Sequence, residues 1–251
     1  MEQERPIGIF DSGIGGVTVL KEILKILPNE NYIYYSDSRN NPYGDKSDEE
    51  IKKICDSIVE FFITQNCKAI VIACNTASAN ASKYLRERYA NIPIIAIEPA
   101  YKMVFDNSYD DTTIVMATKA TIESKKFDLL FNQYNNHKTI LLPCIGLADL
   151  IEEGNKDKIE KYLERVLNEY KGKVKNVVLG CTHYPLVKKQ INQVLGDVQF
   201  FDGAPFLAKH LKDILQEKNC INKTSKNGNI EFIDSSRSKE KEKRFFNIIN
   251  M

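Results

Sequence analysis

IVIACNTASA, at residues 70–79, and VVLGCTHYPL, at residues 177–186, are two versions of one pattern. Each begins as an apolar run, reaches a small residue and a cysteine, then a threonine, and continues into a predicted helix. The two cysteines, Cys74 and Cys181, are 107 residues apart (181 − 74 = 107). The repeat predicts two similar halves, each of which presents a cysteine at the end of a strand.

A weaker pair of similar passages joins IGIFDSGIGG (7–16) to TIVMATKATIES (113–124), again a strand that enters a turn rich in small and hydroxyl residues. Short runs rich in Ile, Val and aromatic residues predict eight buried strands: 7–10, 32–37, 69–74, 92–97, 113–118, 139–144, 177–181 and 198–202. Helical spacing appears between them, at 17–27, 49–62, 80–89 and 158–170. Near-continuous apolar strands that alternate with helices are typical of an α/β fold with parallel sheets.

The chain is expected to pass from one half to the other near residues 97–100, where a strand ends. A last stretch, with a late strand and a helix, is expected to return to the first half. Loops beyond the carboxyl ends of parallel strands bind ligands in open α/β sheets, so two facing halves would enclose a cleft with one cysteine on each wall. The predicted limits are 1–97 plus about 208–251 for the first domain and 98–207 for the second.

Composition excludes several classes of partner. Lys and Arg total 35 against 34 Asp and Glu, and a net charge of +1 predicts no binding to nucleic acid or to an anionic membrane. No run approaches the roughly 20 apolar residues of a spanning helix, and the start, MEQERPIGIF, lacks the apolar core of a signal peptide. We expect a cytoplasmic protein of one large or two smaller domains.

The six cysteines occur without a CxxC or a metal-type spacing, which in a reducing compartment predicts free thiols. Most such thiols are buried and inert, but a thiol at a helix N-terminus ionises more easily. The two matched cysteines are each followed by side chains that can hydrogen-bond a carboxylate. This favours a catalytic role for both thiols over a purely structural one. A pair of facing thiols can remove an α-proton from one side of a carbon and return one on the other side, with the roles exchanged in the reverse direction.

The stretch DSGIGG (11–16) opens the first helix, and its glycines allow a tight turn that exposes backbone amides to an anion. Asp11 is interpreted either as a helix cap or, near Cys74, as a proton acceptor or a ligand for an ammonium group. A dinucleotide loop, with Asp37 as the ribose-binding acid, is the alternative, but Thr18 stands where GxGxxG needs its third glycine. A Walker A loop fails because no Gly-Lys-Ser/Thr follows.

Two other features are open to a structural or a functional interpretation. The turn-rich loop SDSRNNPYGDKS (36–47) fits a segment that covers a site as well as an ordinary surface loop. His183, two residues after Cys181, is interpreted as a proton relay or as a structural histidine. The charge run from Lys239 to Arg244 predicts a solvated helix face.

Five motifs in order make the chain resemble the glutamate racemases of the aspartate/glutamate racemase family over nearly its whole length: FDSGIGGVTVL (10–20), YSDSRNNPYGDKS (35–47), ACNTASA (73–79), IEPA (97–100) and GCTHYPL (180–186). The resemblance implies two α/β domains related by pseudo-twofold symmetry, with the active site in the cleft. It implies no pyridoxal phosphate and no metal, a homodimer, and interconversion of L- and D-glutamate for peptidoglycan synthesis.

Carried over by position, the resemblance makes Cys74 and Cys181 the two bases. Asp11 is expected to assist Cys74, and His183 with Glu152 is expected to assist Cys181. The expected substrate site comprises Asp11, Ser12, Tyr43, Gly44, Asn75, Thr76, Thr118, Thr121, Thr182 and His183.

Two passages depart from the family pattern. TKAT (118–121) keeps both threonines but has Lys119 and Ala120 where many relatives carry glycine before the second one. LLPCIGLADLIEEG (141–154) also differs, so that Glu153 is an alternative to Glu152. A racemase or isomerase for aspartate, a hydantoin or a maleate-type acid, a non-catalytic amino-acid binding protein, and a thiol-redox protein are the alternatives in function.

Overall fold

The structure is a computed structural model that describes residues 2–108 and 110–250. The strands are β1 (Ile7–Asp11), β2 (Tyr32–Ser36), β3 (Ala69–Ile72), β4 (Ile94–Ala96), β5 (Thr113–Ala117), β6 (Thr139–Pro143), β7 (Asn176–Gly180), β8 (Gln199–Asp202) and β9 (Ile230–Asp234). The helices are α1 (Val17–Ile26), α2 (Asp48–Thr64), α3 (Asn75–Arg88), α4 (Tyr101–Ser108), α5 (Lys119–Ile122), α6 (Lys125–Tyr134), α7 (Leu147–Glu153), α8 (Lys156–Leu167), α9 (Lys188–Leu195), α10 (Ala204–Glu217) and α11 (Lys239–Ile249). Short 3-10 helices lie at Glu2–Glu4, Tyr43–Asp45, Asn168–Tyr170 and Tyr184–Val187.

The strands form two parallel sheets with matching strand order. One sheet has the order β4-β3-β1-β2-β9, and the other, written in the same sense, is β8-β7-β5-β6. The strand before Cys74, β3, therefore corresponds to β7, the strand before Cys181, and β1 corresponds to β5. The predicted α/β fold with two similar parallel-sheet halves is confirmed.

Alternating side chains cover both faces of each sheet, as parallel strands require. In the first sheet, Ile7 and Ile9 pack with α1 and α10, while Phe10 packs with the helices of the other face. In the second sheet, Ile114 and Met116 lie in one apolar cluster and Val115 in another. The first core also includes residues from both ends of the chain, because β9 pairs with β2 and α11 follows it.

Local capping explains where several helices begin. Ser47 and Glu50 form a capping box at the start of α2, and the Cys74 sulfur caps α3 by accepting the N–H of Ala77. The helix predicted over 80–89 therefore begins earlier, at Asn75, because its N-cap, Cys74, precedes the residues whose spacing predicted the helix. The predicted helix over 158–170 divides into α8 and a 3-10 turn.

The predicted domain limits of 1–97 with about 208–251, and 98–207, stay a prediction. Ala204 and Leu207 of α10 fall within the range predicted for the second domain, but their side chains pack in the core of the first sheet. Among the helices of residues 2–108 and 110–250, none combines the length and the apolar content needed to cross a membrane.

A buried ion pair joins distant segments at the amino end of the first sheet. Lys68 Nζ lies 2.5 Å from Glu30 Oε2, and both side chains are almost inaccessible to solvent. The same ammonium group donates to the carbonyl oxygens of Gln3 and Cys220, and Glu30 Oε1 accepts the N–H of Asn222. All three ammonium donors of Lys68 are thus used inside the protein.

Replacement of Lys68 by Met is expected to lower the free energy of unfolding by about 3 to 5 kcal/mol, because the Glu30 carboxylate would stay buried without its partner. Urea unfolding followed by circular dichroism measures the loss. Lys25→Met is the matched control, since Lys25 pairs with Glu22 on an exposed helix face and its loss is expected to cost at most about 1 kcal/mol. Equal losses in the two variants would contradict the prediction.

Candidate active site

The two repeated cysteines lie on one cavity of about 130 Å³ between the halves. Cys74 follows β3 and Cys181 follows β7, so the corresponding strands of the two sheets deliver one thiol each. All six cysteines are free and buried. The arrangement brings together the two residues that the sequence repeat singled out.

The surroundings of the two thiols differ more than the repeat predicts. Cys74 caps α3, with its Sγ 3.5 Å from the Ala77 amide nitrogen and 3.8 Å from Ser12 Oγ. Cys181 is followed by a turn and a 3-10 helix, and α9 starts only at Lys188. The helix expected after Cys181 and Thr182 therefore begins as a 3-10 helix that contains Pro185, and only then continues as an α-helix.

The ionisation of Cys74 also differs from the lowering expected at a helix N-terminus. Burial raises the pKa of Cys74 well above its usual value, and the nearby Asp11 carboxylate raises it further. The hydrogen bonds from Ala77 and with Ser12 act in the opposite direction but do not outweigh burial. Cys74 thus keeps its proton at neutral pH.

Asp11 lies behind the cavity wall rather than on it. Its Oδ2 accepts the N–H of Gly16 at 2.6 Å and the hydroxyl of Thr182, from the other half, at 3.2 Å. Its Oδ1 has no hydrogen-bond partner among the described residues. Burial raises the pKa of Asp11, although the charge of His183 opposes this.

His183 connects Cys181 to a carboxylate. Its Nδ1 is 3.8 Å from Cys181 Sγ, and its Nε2 is 2.7 Å from Glu152 Oε2 on α7. The same carboxylate accepts the backbone N–H of Ile14, with N···O distances of 3.2 and 3.3 Å. A buried chain therefore runs from the sulfur through the imidazole to a carboxylate that the first half also holds.

The structure distinguishes the two neighbouring acids at the end of α7. Glu152 is buried and its Oε1 lies 3.0 Å from Lys241 Nζ, whereas Glu153 is exposed and pairs with Lys158. Only Glu152 reaches His183. The charge run Lys239 to Arg244, predicted as a solvated face, is corrected at Lys241 and Arg244, because these two side chains are half-buried and contact α7.

The ionisation of His183 and Glu152 is coupled. Burial alone would lower the pKa of His183, but its hydrogen bonds with Cys181 and Glu152 raise it well above the usual value. Burial alone would raise the pKa of Glu152, yet His183 and Lys241 lower it to about 2. At neutral pH the pair is therefore an imidazolium held by a carboxylate.

The glycines of the turn at 11–16 make room for this pair. A Cβ on Gly13 would lie 2.8 Å from a Glu152 carboxylate oxygen, and one on Gly15 would lie 2.4 Å from His183 Nδ1. Gly16 N–H binds Asp11, and Ile14 N–H binds Glu152. The amides that the sequence predicted to capture an anion thus hold two carboxylates of the protein itself.

Polar groups line the cavity around the thiols. Neither polar atom of the buried Asn75 side chain has a hydrogen-bond partner among the described residues, and Asn75 lies on the cavity wall. The Thr76 hydroxyl bonds across the halves to those of Thr118 and Thr121, at 2.9 and 3.4 Å, and the latter two bond to each other at 2.9 Å. Tyr43 donates to Asp37 at 2.6 Å, so the acid considered for a ribose is already occupied.

Most of the predicted site residues lie on the cavity wall: Ser12, Tyr43, Gly44, Cys74, Asn75, Thr76, Thr118, Cys181, Thr182 and His183. Asp11, Thr121 and Glu152 lie behind it, in hydrogen bonds with residues on the wall. Within the part of the chain that the structure describes, no three His, Cys, Asp or Glu side chains are grouped so that they could hold a metal ion.

The sequence interpretation missed six wall residues: Lys119, Cys144, Ile145, Gly146, Ala148 and Asp149. Three more, Asn41, Pro42 and Asp45, belong to the loop at 36–47, for which the sequence left a role in covering a site open. Those at 144–149 follow β6 directly, so the rule that carboxyl ends of parallel strands bind ligands would have found them. Asn41 Nδ2 lies 3.3 Å from Asp149 Oδ1, a contact between the halves at the cavity. Burial raises the pKa of Cys144 to about 12, which makes it a protonated neighbour of Cys181.

The comparisons with known proteins all find racemases. A family model described as Asp/Glu/Hydantoin racemase matches residues 7–211. A glutamate racemase of Clostridium perfringens is 44% identical over 240 residues, which is 94% of this chain and 92% of that protein.

Two solved structures are similar over nearly the whole chain. Glutamate racemase from Francisella tularensis, solved in complex with D-glutamate, has a TM-score of 0.84 at 34% identity and covers 99% of this chain and 95% of its own. Escherichia coli glutamate racemase, solved with L-glutamate, has a TM-score of 0.85 at 27% identity and covers 98% and 94%.

The low pKa of Glu152 predicts a pH-dependent contribution to stability. A carboxylate with a depressed folded pKa stabilises the protein above its unfolded pKa of about 4.3, and this stabilisation is lost as pH falls through the folded value of about 2. Glu152→Gln is therefore expected to lower the free energy of unfolding by up to about 3 kcal/mol at pH 7, and by progressively less below about pH 4.5. Urea unfolding at pH 7, 5 and 3 measures the difference.

The neighbouring Glu153→Gln is the control for this series. Its side chain is exposed, so its replacement is expected to change the free energy of unfolding by at most about 0.5 kcal/mol. A deficit in Glu152→Gln that is the same at pH 7 and pH 3 would contradict the ionic origin of the effect.

Proposed function

This chain belongs to the Asp/Glu/Hydantoin racemase family, and on that premise we propose that it interconverts L- and D-glutamate by a two-base mechanism. Cys74 and Cys181 are the bases. The observation that carries the proposal is the delivery of one thiol from each half to a single cavity, at the ends of corresponding strands. Related proteins of high similarity bear the name glutamate racemase, and two solved ones hold D- or L-glutamate.

Inversion at the α-carbon requires two groups on opposite sides of it. One thiolate removes the α-proton, the electron pair stays on the substrate as a carbanion conjugated with its carboxylate, and a thiol on the other side supplies a proton. The first cysteine ends as a thiol and the second as a thiolate. The reverse reaction uses the same two groups in exchanged roles.

The surroundings of the thiols support unequal assistance. Cys74, whose raised pKa keeps it protonated, is suited to give its proton to the carbanion. When Cys74 must act as the base, the buried Asp11, whose pKa is also raised, is the nearby group that can take up that proton. On the other side, protonated His183 donates a hydrogen bond to the Cys181 sulfur and is held by Glu152.

The remaining wall residues are proposed to bind the substrate. The unpartnered amide of Asn75 offers both a donor and an acceptor to a ligand, and a buried amide without partners is costly unless something binds it. The hydroxyls of Ser12, Thr76, Thr118 and Thr182, with the Gly44 and Tyr43 segment, add polar groups to the wall of a small cavity that suits an amino acid.

Further expectations from the family extend this proposal. They are the supply of D-glutamate for peptidoglycan synthesis, a cytoplasmic location and a homodimer. Separation of the protein by size with light scattering tests the dimer directly.

Wild-type protein is expected to bring pure L-glutamate and pure D-glutamate to the same equal mixture, with one solvent deuterium incorporated at Cα in D₂O. Replacement of Cys74 or Cys181 by Ser is expected to lower kcat/KM by about 10²- to 10⁴-fold, because each removes one proton-transfer group. Circular dichroism follows the loss of optical activity, and proton NMR follows the exchange of the α-proton for deuterium. Aspartate in place of glutamate tests the nearest alternative substrate.

Cys220→Ser is the matched thiol control. Cys220 is off the cavity wall and its sulfur hydrogen-bonds only the Leu215 carbonyl among the described partners, a bond that a serine hydroxyl can replace. Full racemisation by Cys74→Ser or Cys181→Ser would refute the two-base mechanism. Saturable glutamate binding by the wild type without any exchange would instead indicate a binding protein.

A further inference from the structure

The last helix of the chain, α11, is anchored in the first half and reaches the second. Phe245 is fully buried against Tyr34 and Phe232 in the core of the first sheet. One helical turn before Phe245, Lys241 Nζ lies 3.0 Å from Glu152 Oε1 and 2.8 Å from Ser38 Oγ. A cation from the first half thus contacts the carboxylate that holds His183.

We propose that Lys241 is a positioning residue, which fixes the Glu152 carboxylate and, through it, the His183 imidazole beside Cys181. The proposal rests on the function proposed above. Lys241 touches neither the cavity nor either thiol, so its effect must pass through Glu152.

The division of contacts between the two carboxylate oxygens supports this role. Oε2 binds His183 at 2.7 Å and the Ile14 amide at 3.2 Å, whereas Oε1 has Lys241 at 3.0 Å and the same amide at a longer 3.3 Å. Without Lys241, Oε1 would keep only its weaker contact. The carboxylate could then rotate about its last bond, and the His183 contact would loosen.

The backbone of Glu152 is held by the same helix. The guanidinium of Arg244 donates to the carbonyl oxygens of Ile151 and Glu152, two carbonyls in the last turn of α7. Gly154, which ends α7 with φ 75°, leaves space for this guanidinium: a Cβ there would lie 3.2 Å from it. One face of α11 therefore holds both the side chain and the main chain of Glu152. An isolated surface ion pair would hold the side chain alone.

The charge of Lys241 should also influence the protonation of His183. Lys241 shares the negative charge of Glu152, so its removal leaves the whole charge facing the imidazolium and raises the pKa of His183 further. The ionisable and charged groups that face His183 and Glu152 from the surrounding elements are Asp11, Tyr34, Asp149, Cys181, Lys241 and Arg244. Among them Lys241 is the cation that pairs with the carboxylate itself.

The test compares Lys241→Met with Lys241→Arg and with Lys243→Met, a control on an exposed position of the same helix with the same loss of charge. kcat/KM is measured from L- and from D-glutamate across pH 6 to 10. The equilibrium constant of a racemisation is one, so kcat/KM must fall equally in the two directions. The informative readouts are therefore the size of the fall, the pH profile and rescue by Arg.

Lys241→Met is expected to lower kcat/KM about tenfold, below the hundredfold that a misplacement of 1 Å can cost. The limb of its pH profile that reports His183 is expected to move to higher pH by about half a unit, because the imidazolium holds its proton more tightly. Lys241→Arg is expected to retain both the rate and the profile, and Lys243→Met to match the wild type. If Lys241→Met does not fold, as judged by circular dichroism, Lys241→Gln replaces it with the same expectations.

Activity within twofold of Lys243→Met at every pH would overturn the proposal. A uniform loss with an unmoved pH profile would overturn it as well, since it would indicate a structural strut between the halves. Absence of glutamate racemisation in the wild type is a different result, because it would refute the proposed function rather than the role of Lys241.

Discussion

The buried carboxylate of Glu152 is the constraint on which the geometry of this site depends. A carboxylate removed from water is costly unless charges and hydrogen bonds compensate it. Here the compensation comes from three parts of the chain that are remote in sequence: the Ile14 amide after β1, His183 after β7 and Lys241 on α11. Since all three must converge on one group, the two halves are held in one relative position. That position brings Cys74 and Cys181 to the same cavity.

The glycine turn after β1 makes this convergence sterically possible. Gly13 and Gly15 leave no side chain where Glu152 and His183 approach, and the turn binds Asp11 through Gly16. The same region makes two further contacts with Thr182, from Asp11 and from the hydroxyl of Thr18. The turn is therefore a contact surface between the halves as well as part of the cavity wall. Its glycines are explained by the close approach of other side chains, since none of them has a positive φ.

The sequence predicted those features that depend on local pattern. Apolar strands, the repeated cysteine passages and the polar residues next to them determine the two parallel sheets and most of the cavity wall. The sequence could not predict the features that depend on contacts between segments far apart in the chain. Only the folded chain places Lys241 against Glu152, and only burial reverses the lowering of the Cys74 pKa that its position at a helix N-terminus suggests. The strands β3 and β7 correspond, but Pro185 and the 3-10 turn after Cys181 separate the two cysteine environments.

That separation has a consequence for the proposed reaction. The two enantiomers of a free amino acid have equal energy, so a symmetrical pair of bases would give a symmetrical free-energy profile. The protein is not symmetrical: Cys74 is a buried thiol near a buried carboxyl group, and Cys181 faces an imidazolium that pairs with Glu152. In the proposed mechanism each enantiomer meets a different base, and we therefore expect the two bound states to differ in energy even though the free states do not. The ratio kcat/KM stays equal in both directions, and the asymmetry of the site must appear in kcat and KM separately.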